Sequence, residues 1–143
     1  RDVLGSRGRG DVYKRQMETG GMKGRRTELP KEEFHRILCD AFGTDVIHSE
    51  YGMAELTSQA YSSGNGIFRT PPWMRVTIRD FNDPFETLPA GRRGGINITD
   101  LANLHSCAFI ETQDAGIAYP DGSFSVLGRM DRTQTRGCNL LVD

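Results

Sequence analysis

The chain is poor in cysteine, has a single tryptophan and contains no lysine after Lys31. Three cysteines (Cys39, Cys107 and Cys138) are an odd number with no short paired spacing, which argues against a disulfide framework. Structural zinc is not expected either. His35 and Cys39 lie four apart and His105 and Cys107 two apart, looser than the paired knuckles such sites use. No run approaches the roughly 18 consecutive apolar residues of a membrane span. The N-terminus also lacks the charged, apolar, small-residue order of a secretory signal, so the expected compartment is the cytoplasm.

What is present describes a soluble globular chain. Its 143 residues suffice for one domain with a real core, and 36% hydrophobic with 26% charged residues are ordinary values. Seventeen glycines and six prolines predict many turns, and so short strands rather than long helices. Charge is uneven. Residues 1–36 carry a net of +4, whereas residues 37–143 carry −5 with arginine as their sole cation at pH 7. Residues 1–16 are Gly/Arg-rich and lack apolar periodicity, like a vector- or assembly-derived tail; they are set aside, and no nucleic-acid partner is expected. The folded unit is expected to span 17–143.

Phe34, Ile37, Leu38, Ala41 and Phe42 fall on one helical stripe that follows Pro30 and stops at Gly43. Glu32 and Glu33 suit the positive N-terminus of that helix. Asp45 to Ser49 contains Val46-Ile47, a short buried-strand candidate leading into the Tyr51 segment. Beyond it the pattern is β. Met74, Val76 and Ile78 alternate with Arg75, Thr77 and Arg79, and GINIT (95–99) and CAFIE (107–111) follow. Pro120-Asp121-Gly122 predicts a hairpin between 117–119 and 124–127. Loops are expected at 62–66 and 82–84. The fold class is therefore α/β, an α+β arrangement of one helix and a strand-loop followed by a small β-rich subdomain.

Two segments could carry chemistry. Gly20-Gly21-Met22-Lys23-Gly24 can approach an anion closely, although it lacks the GK[ST] ending of a phosphate loop. In His48-Ser49-Glu50-Tyr51-Gly52-Met53-Ala54-Glu55, an aromatic beside glycine can stack on a flat base, and a carboxylate four residues on can hold Mg2+.

The latter segment resembles the YGxTE motif of the adenylate-forming superfamily. The ordered set ETGGMKGRR, IHSEYGMAELTSQAYS, PPWMRV and RGCNLLV is more closely similar to the acyl-protein synthetase family of the bacterial bioluminescence fatty-acid reductase. The resemblance covers about Glu18 to Val142 and implies the C-terminal part of an adenylate-forming large domain that uses ATP and Mg2+. By that likeness Gly20, Gly21 and Met22 line the nucleotide, Tyr51 meets adenine, Gly52 and Met53 are further nucleotide-binding positions, and Glu55 is the catalytic carboxylate associated with Mg2+. Ala54 departs from the family's Thr or Ser, a lost hydrogen bond worth roughly 1.5–3 kcal/mol.

Thr112-Gln113-Asp114 lies where the superfamily has Thr-Gly-Asp, which makes Asp114 the candidate acceptor for the ribose hydroxyls. Asp100 is a competing carboxylate, read as a loop or cap residue. Gly128-Arg129-Met130-Asp131 matches the superfamily's Gly-Arg-x-Asp, which implies Arg129 reaching ribose or phosphate and Asp131 at the hinge; read in isolation, an exposed ion pair after a hairpin is the favoured reading of the two.

Relatives pass the acyl group to a C-terminal cysteine, and Cys138 is the counterpart here, with Arg136 beside it to favour the thiolate. A small buried residue remains the alternative reading of Cys138. Cys39 and Cys107 are expected in the core, and Trp73 is expected to pack or to wall an acyl pocket. The superfamily's upstream phosphate loop and its C-terminal lysine have no counterpart in this chain, so on its own it is expected to be inactive. The implied parent is an ATP-dependent ligase that activates a fatty acid and serves an acyl reductase. A ligase resembling phenylacetate-CoA ligase and a non-catalytic nucleotide-binding remnant are the alternatives.

Overall fold

In the computed structural model, residues 16–19 and 31–130 are described, and they form one helix and eight strands. Strand β1 (Met17–Thr19) is followed by helix α1 (Lys31–Phe42) and β2 (His48–Tyr51). β1 and β2 pair in parallel, Glu18 opposite Ser49, so helix α1 is the crossover of a β-α-β unit. The remaining strands are β3 (Ala60–Ser62), β4 (Ile67–Arg69), β5 (Met74–Arg79), β6 (Arg93–Asp100), β7 (Phe109–Ala118) and β8 (Phe124–Arg129). All their pairings are antiparallel, and the sheet order is β1-β2-β3-β4-β8-β7-β6-β5. The β-rich half is thus continuous with the strand-loop through one mixed sheet, and the α+β expectation holds at that level.

Local chemistry explains the boundaries. Gly43, at φ +61°, ends α1, and the Thr44 N–H reaches back to the Cys39 carbonyl at 3.1 Å, which closes the last turn. The Pro120-Asp121-Gly122 turn joins β7 to β8 as expected: Gly122 takes φ +80°, and the Tyr119 N–H donates to Ser123 O at 2.8 Å. The 62–66 segment is also a turn, but it joins β3 and β4, two three-residue strands too short to leave a periodic signal.

Several expectations need correction. The strand before the loop is His48–Tyr51, shifted towards the loop from the expected 45–49 segment; Ile47 is buried just ahead of it and Val46 is exposed. The helical stripe is only partly covered. Phe34 and Leu38 are half-buried, while Ile37 and Phe42 are 46% and 59% exposed. Cys107 is exposed because β7 begins only at Phe109, which leaves the thiol in the preceding turn. Cys39 is half-buried. Arg79 is not on a solvent face: it is 5% exposed, so the alternation of β5 breaks at its last residue.

The core lies under the antiparallel strands, where Phe68, Met74, Ile78, Ile96, Ile98 and Phe124 are buried together with Leu56 and Ala60. Tyr51 and Met53 pack at its margin, which carries the chain leaving β2 onto the same core. Among the described residues no helix is long and apolar enough to cross a membrane.

Candidate functional site

Tyr51 is the last residue of β2, opposite Ala60 of β3. Its ring meets Phe68 and Phe124 edge-on, at centroid distances of 5.9 and 5.5 Å, while those two rings stack on each other. That clamp aims the phenol at β7, where the Tyr51 hydroxyl donates to Asp114 Oδ2 at 2.8 Å. Burial first, and the neighbouring Asp114 carboxylate second, push the Tyr51 hydroxyl well above its ordinary pKa.

Asp114 owes its position to a bulge. Gly95 pairs with Ala115 and Asn97 with Glu111, so Ile96 alone faces Thr112, Gln113 and Asp114. Extra residues on one strand re-aim side chains, and such irregularities gather at functional sites. Thr112 fastens the bulge: its hydroxyl donates to Ile96 O at 2.8 Å and accepts from the Asp114 N–H at 3.1 Å. Across β8, Asp114 is in register with Arg129, whose Nε lies 4.0 Å from Asp114 Oδ1. Arg129 is largely exposed and free to turn toward a ligand, and an exposed pair at this distance adds little stability. Tyr51, Asp114 and Arg129, which sequence reasoning selected from three distant segments, therefore converge.

The loop after Tyr51 is held from below. Asn103, buried in the 3-10 turn Leu101–Asn103, donates through Nδ2 to Glu55 O at 2.5 Å, and its Oδ1 accepts from the Thr57 N–H at 3.1 Å and from the Thr57 hydroxyl. Asp100, fully buried, accepts from Ser58 N–H at 2.9 Å, Ser58 Oγ at 2.8 Å and the Ala102 N–H at 3.0 Å. Burial works to raise its pKa, but the bonds from Ser58, then from Ala102 and Thr57, outweigh it and leave the carboxyl below its ordinary value. The cap reading of Asp100 is correct, and the residue also anchors the loop. Trp73 is half-exposed and donates from Nε1 to Ser58 Oγ at 2.8 Å.

Gly52, Met53, Ala54 and Glu55 lie on this loop, with Glu55 exposed. Among the described residues no three His, Cys, Asp or Glu side chains gather as a metal site. A single exposed carboxylate fits Mg2+ that arrives on phosphates, since that ion is commonly held by one or two carboxylates plus substrate oxygens. It does not fit a resident metal. Gly20, Gly21, Met22, Asp131 and Cys138 lie outside the described residues.

Sequence reasoning missed three supports: Asn103, the anchoring role of Asp100, and Arg79. The first two are single polar residues whose partners lie more than 40 positions away, which no local pattern reports. For Arg79 there was a signal. Gly94-Gly95 interrupts a strand, and glycine there marks a close approach; a Cβ on Gly95 would meet the Arg79 guanidinium at 2.5 Å. A cleft of about 350 Å3 runs beside the bulge, lined by Arg79, Phe81, Glu111, Thr112, Gln113 and Met130 among others; neither Tyr51 nor Asp114 lines it.

No protein-family model matches the sequence, and no curated protein does. Solved structures do match in fold. ATP-bound MatB from Rhodopseudomonas palustris aligns with a TM-score of 0.52 at 20% identity, over 68% of this chain and 23% of MatB. A benzoate CoA ligase from Burkholderia xenovorans aligns at 0.50 and 17% identity, over 79% of this chain and 25% of the ligase. The O-succinylbenzoate coenzyme A synthetase MenE of Bacillus subtilis, in complex with ATP and magnesium ion, aligns at 0.52 and 20% identity, over 79% and 26%. The chain spans about a quarter of the length of these enzymes. What it shares with them is therefore the fold of one part of each.

Proposed function

We propose that this chain supplies one wall of the nucleotide site of an ATP-dependent, acid-activating ligase. The convergence of Tyr51, Asp114 and Arg129 carries the reading. Asp114 presents a carboxylate that can accept from two vicinal ribose hydroxyls, with one oxygen already oriented by Tyr51. Arg129 supplies positive charge beside it. Tyr51 offers its ring to adenine, and Gly52 and Met53 continue that wall. On the sequence motifs alone, Gly20, Gly21 and Met22 are assigned to the nucleotide as well. Glu55 would hold Mg2+ brought in by the triphosphate, and the ion would supply neutralisation of phosphate charge there.

In the reaction, a substrate carboxylate oxygen attacks the α-phosphorus of ATP. The bond from that phosphorus to the bridging oxygen breaks, pyrophosphate leaves, and an acyl-adenylate remains. A thiolate then attacks the acyl carbon and AMP departs with the electron pair of the acyl C–O bond. On the sequence motifs, the acid is a fatty acid, the thiol is Cys138, and the thioester feeds an acyl reductase in the cytoplasm, with Asp131 at the hinge. The CoA ligases among the structural matches favour a second reading in which coenzyme A is the acceptor.

Carboxylic-acid-dependent exchange of labelled pyrophosphate into ATP, by the full-length protein containing this chain, tests the first half-reaction. Exchange with a fatty acid is expected, and no exchange with any carboxylic acid contradicts the proposal. Labelled acyl retained on protein and lost in Cys138→Ser supports the protein thioester; release as a CoA thioester supports the second reading.

A further inference from the structure

We infer that Arg79 is a positioning residue for Asp114, acting through the bulge it sits beneath, and that Gly95 exists to make room for it. The inference rests on the nucleotide reading of Asp114 given above. Arg79 ends β5 at 5% exposure, and its guanidinium is spent on the bulge. Nη1 donates to Ile96 O at 2.9 Å and to Asn97 Oδ1 at 2.6 Å, and Nη2 donates to Thr112 O at 2.7 Å. Glu111 Oε1, 3.4 Å from Nη2, balances the charge. These contacts sit on both sides of the irregularity: Ile96 and Asn97 on β6, Glu111 and Thr112 on β7.

Three consecutive bulge residues cannot all find ladder partners opposite one residue, so their backbone groups need another source of hydrogen bonds. A planar fork of fixed donors meets that need in a way that a flexible ammonium does not. The chain of bonds is short. Arg79 holds the Thr112 carbonyl, Thr112 Oγ1 holds the Asp114 N–H, and the Asp114 carboxylate meets Tyr51. Among the described residues, the polar contacts of Arg79 go to Ile96, Asn97, Glu111 and Thr112, and not to Tyr51, Asp114 or Arg129. The space it occupies exists because β6 carries glycine at 95, where any Cβ would lie 2.5–2.8 Å from the guanidinium atoms.

The test uses the 143-residue chain with two variants, Arg79→Met and Gly95→Ala, the second retaining the arginine but displacing its head group. Amide hydrogen exchange read by NMR is expected to show Asp114 losing about tenfold or more of its protection in both variants, while Ile78 and Ile98 keep theirs. Arg79→Lys is expected to restore part of it. Unchanged protection at Asp114, or a loss shared evenly by Ile78, Ile98 and Asp114 in both variants, overturns the inference. A second readout separates it from the nucleotide reading. The unaltered chain is expected to bind AMP about tenfold more tightly than 2′,3′-dideoxy-AMP, and Arg79→Met to lower that ratio below about threefold. No diol preference in the unaltered chain removes Asp114 from the ribose and with it the function assigned to Arg79, whatever the exchange result. A diol preference that survives Arg79→Met undiminished overturns the inference while leaving the ribose assignment standing.

Discussion

The sheet changes character at β2. On one side stand β1 and α1, a parallel unit in which Met17, Ile37 and Phe42 remain exposed and His35 Nε2 lies 3.3 Å from both Glu18 Oε1 and Ser49 Oγ. On the other side β3 to β8 run antiparallel over a core where Phe68, Phe124, Ile96 and Ile98 are essentially sealed. Antiparallel strands joined by short turns close a core from local connections, whereas parallel strands are normally covered on both faces. The candidate site occupies the seam. Tyr51 is the last residue of the parallel unit, and Asp114 and Arg129 belong to the antiparallel half. One half supplies the sealed core, and the other delivers the aromatic and the loop that follows it.

That contrast can be broken experimentally. Phe124→Ala should cost about 3–5 kcal/mol in urea unfolding, whereas Phe42→Ala on the exposed side of α1 should cost less than about 1; equal costs would erase the distinction. Asp100→Ala leaves Ser58 and Ala102 without their acceptor and should cost about 2–4 kcal/mol. Because the Asp100 pKa is lowered on folding, its stabilisation is present above its ordinary value of 3.8 and is lost as pH falls through the lower folded value. The acid-side decline in stability should therefore be shallower in Asp100→Asn than in the unaltered chain, although that variant is less stable at neutral pH.

Tyr51→Phe removes one bond to a carboxylate across the seam and should cost about 1.5–3 kcal/mol. Here the sign reverses. The folded pKa is raised, so the contribution is complete below the ordinary value of 10.0 and is lost as pH rises above it. Alkaline unfolding should be less steep in the phenylalanine variant. The smallest effect belongs to Ile37→Ser, expected within about 0.5 kcal/mol because that side chain is already half in water.

How much of this was legible beforehand follows the range of each interaction. The helix and its glycine stop, the Pro120-Asp121-Gly122 turn and the β character of the second half are short-range patterns, and they stand. Tyr51, Asp114 and Arg129 could be selected one by one from their motifs, yet their meeting depends on a sheet order in which β8 pairs with β4, which no single segment encodes. Residues whose role is set by distant partners escaped. Arg79 looked like the polar member of an alternating strand because alternation describes the pleat and is blind to a bulge two strands away. Cys107 looked buried because apolar neighbours follow it, but the strand starts two residues later.

The most direct test of the central claim, that the seam of Tyr51, Asp114 and Arg129 is a nucleotide wall, is an NMR titration of the chain with AMP. Saturable shifts are expected at the Tyr51 ring and at the backbone amide of residue 114, both abolished in Asp114→Ala, while the Ile98 amide is unmoved. AMP binding that leaves Tyr51 and Asp114 unperturbed, or that persists unchanged in Asp114→Ala, would contradict it.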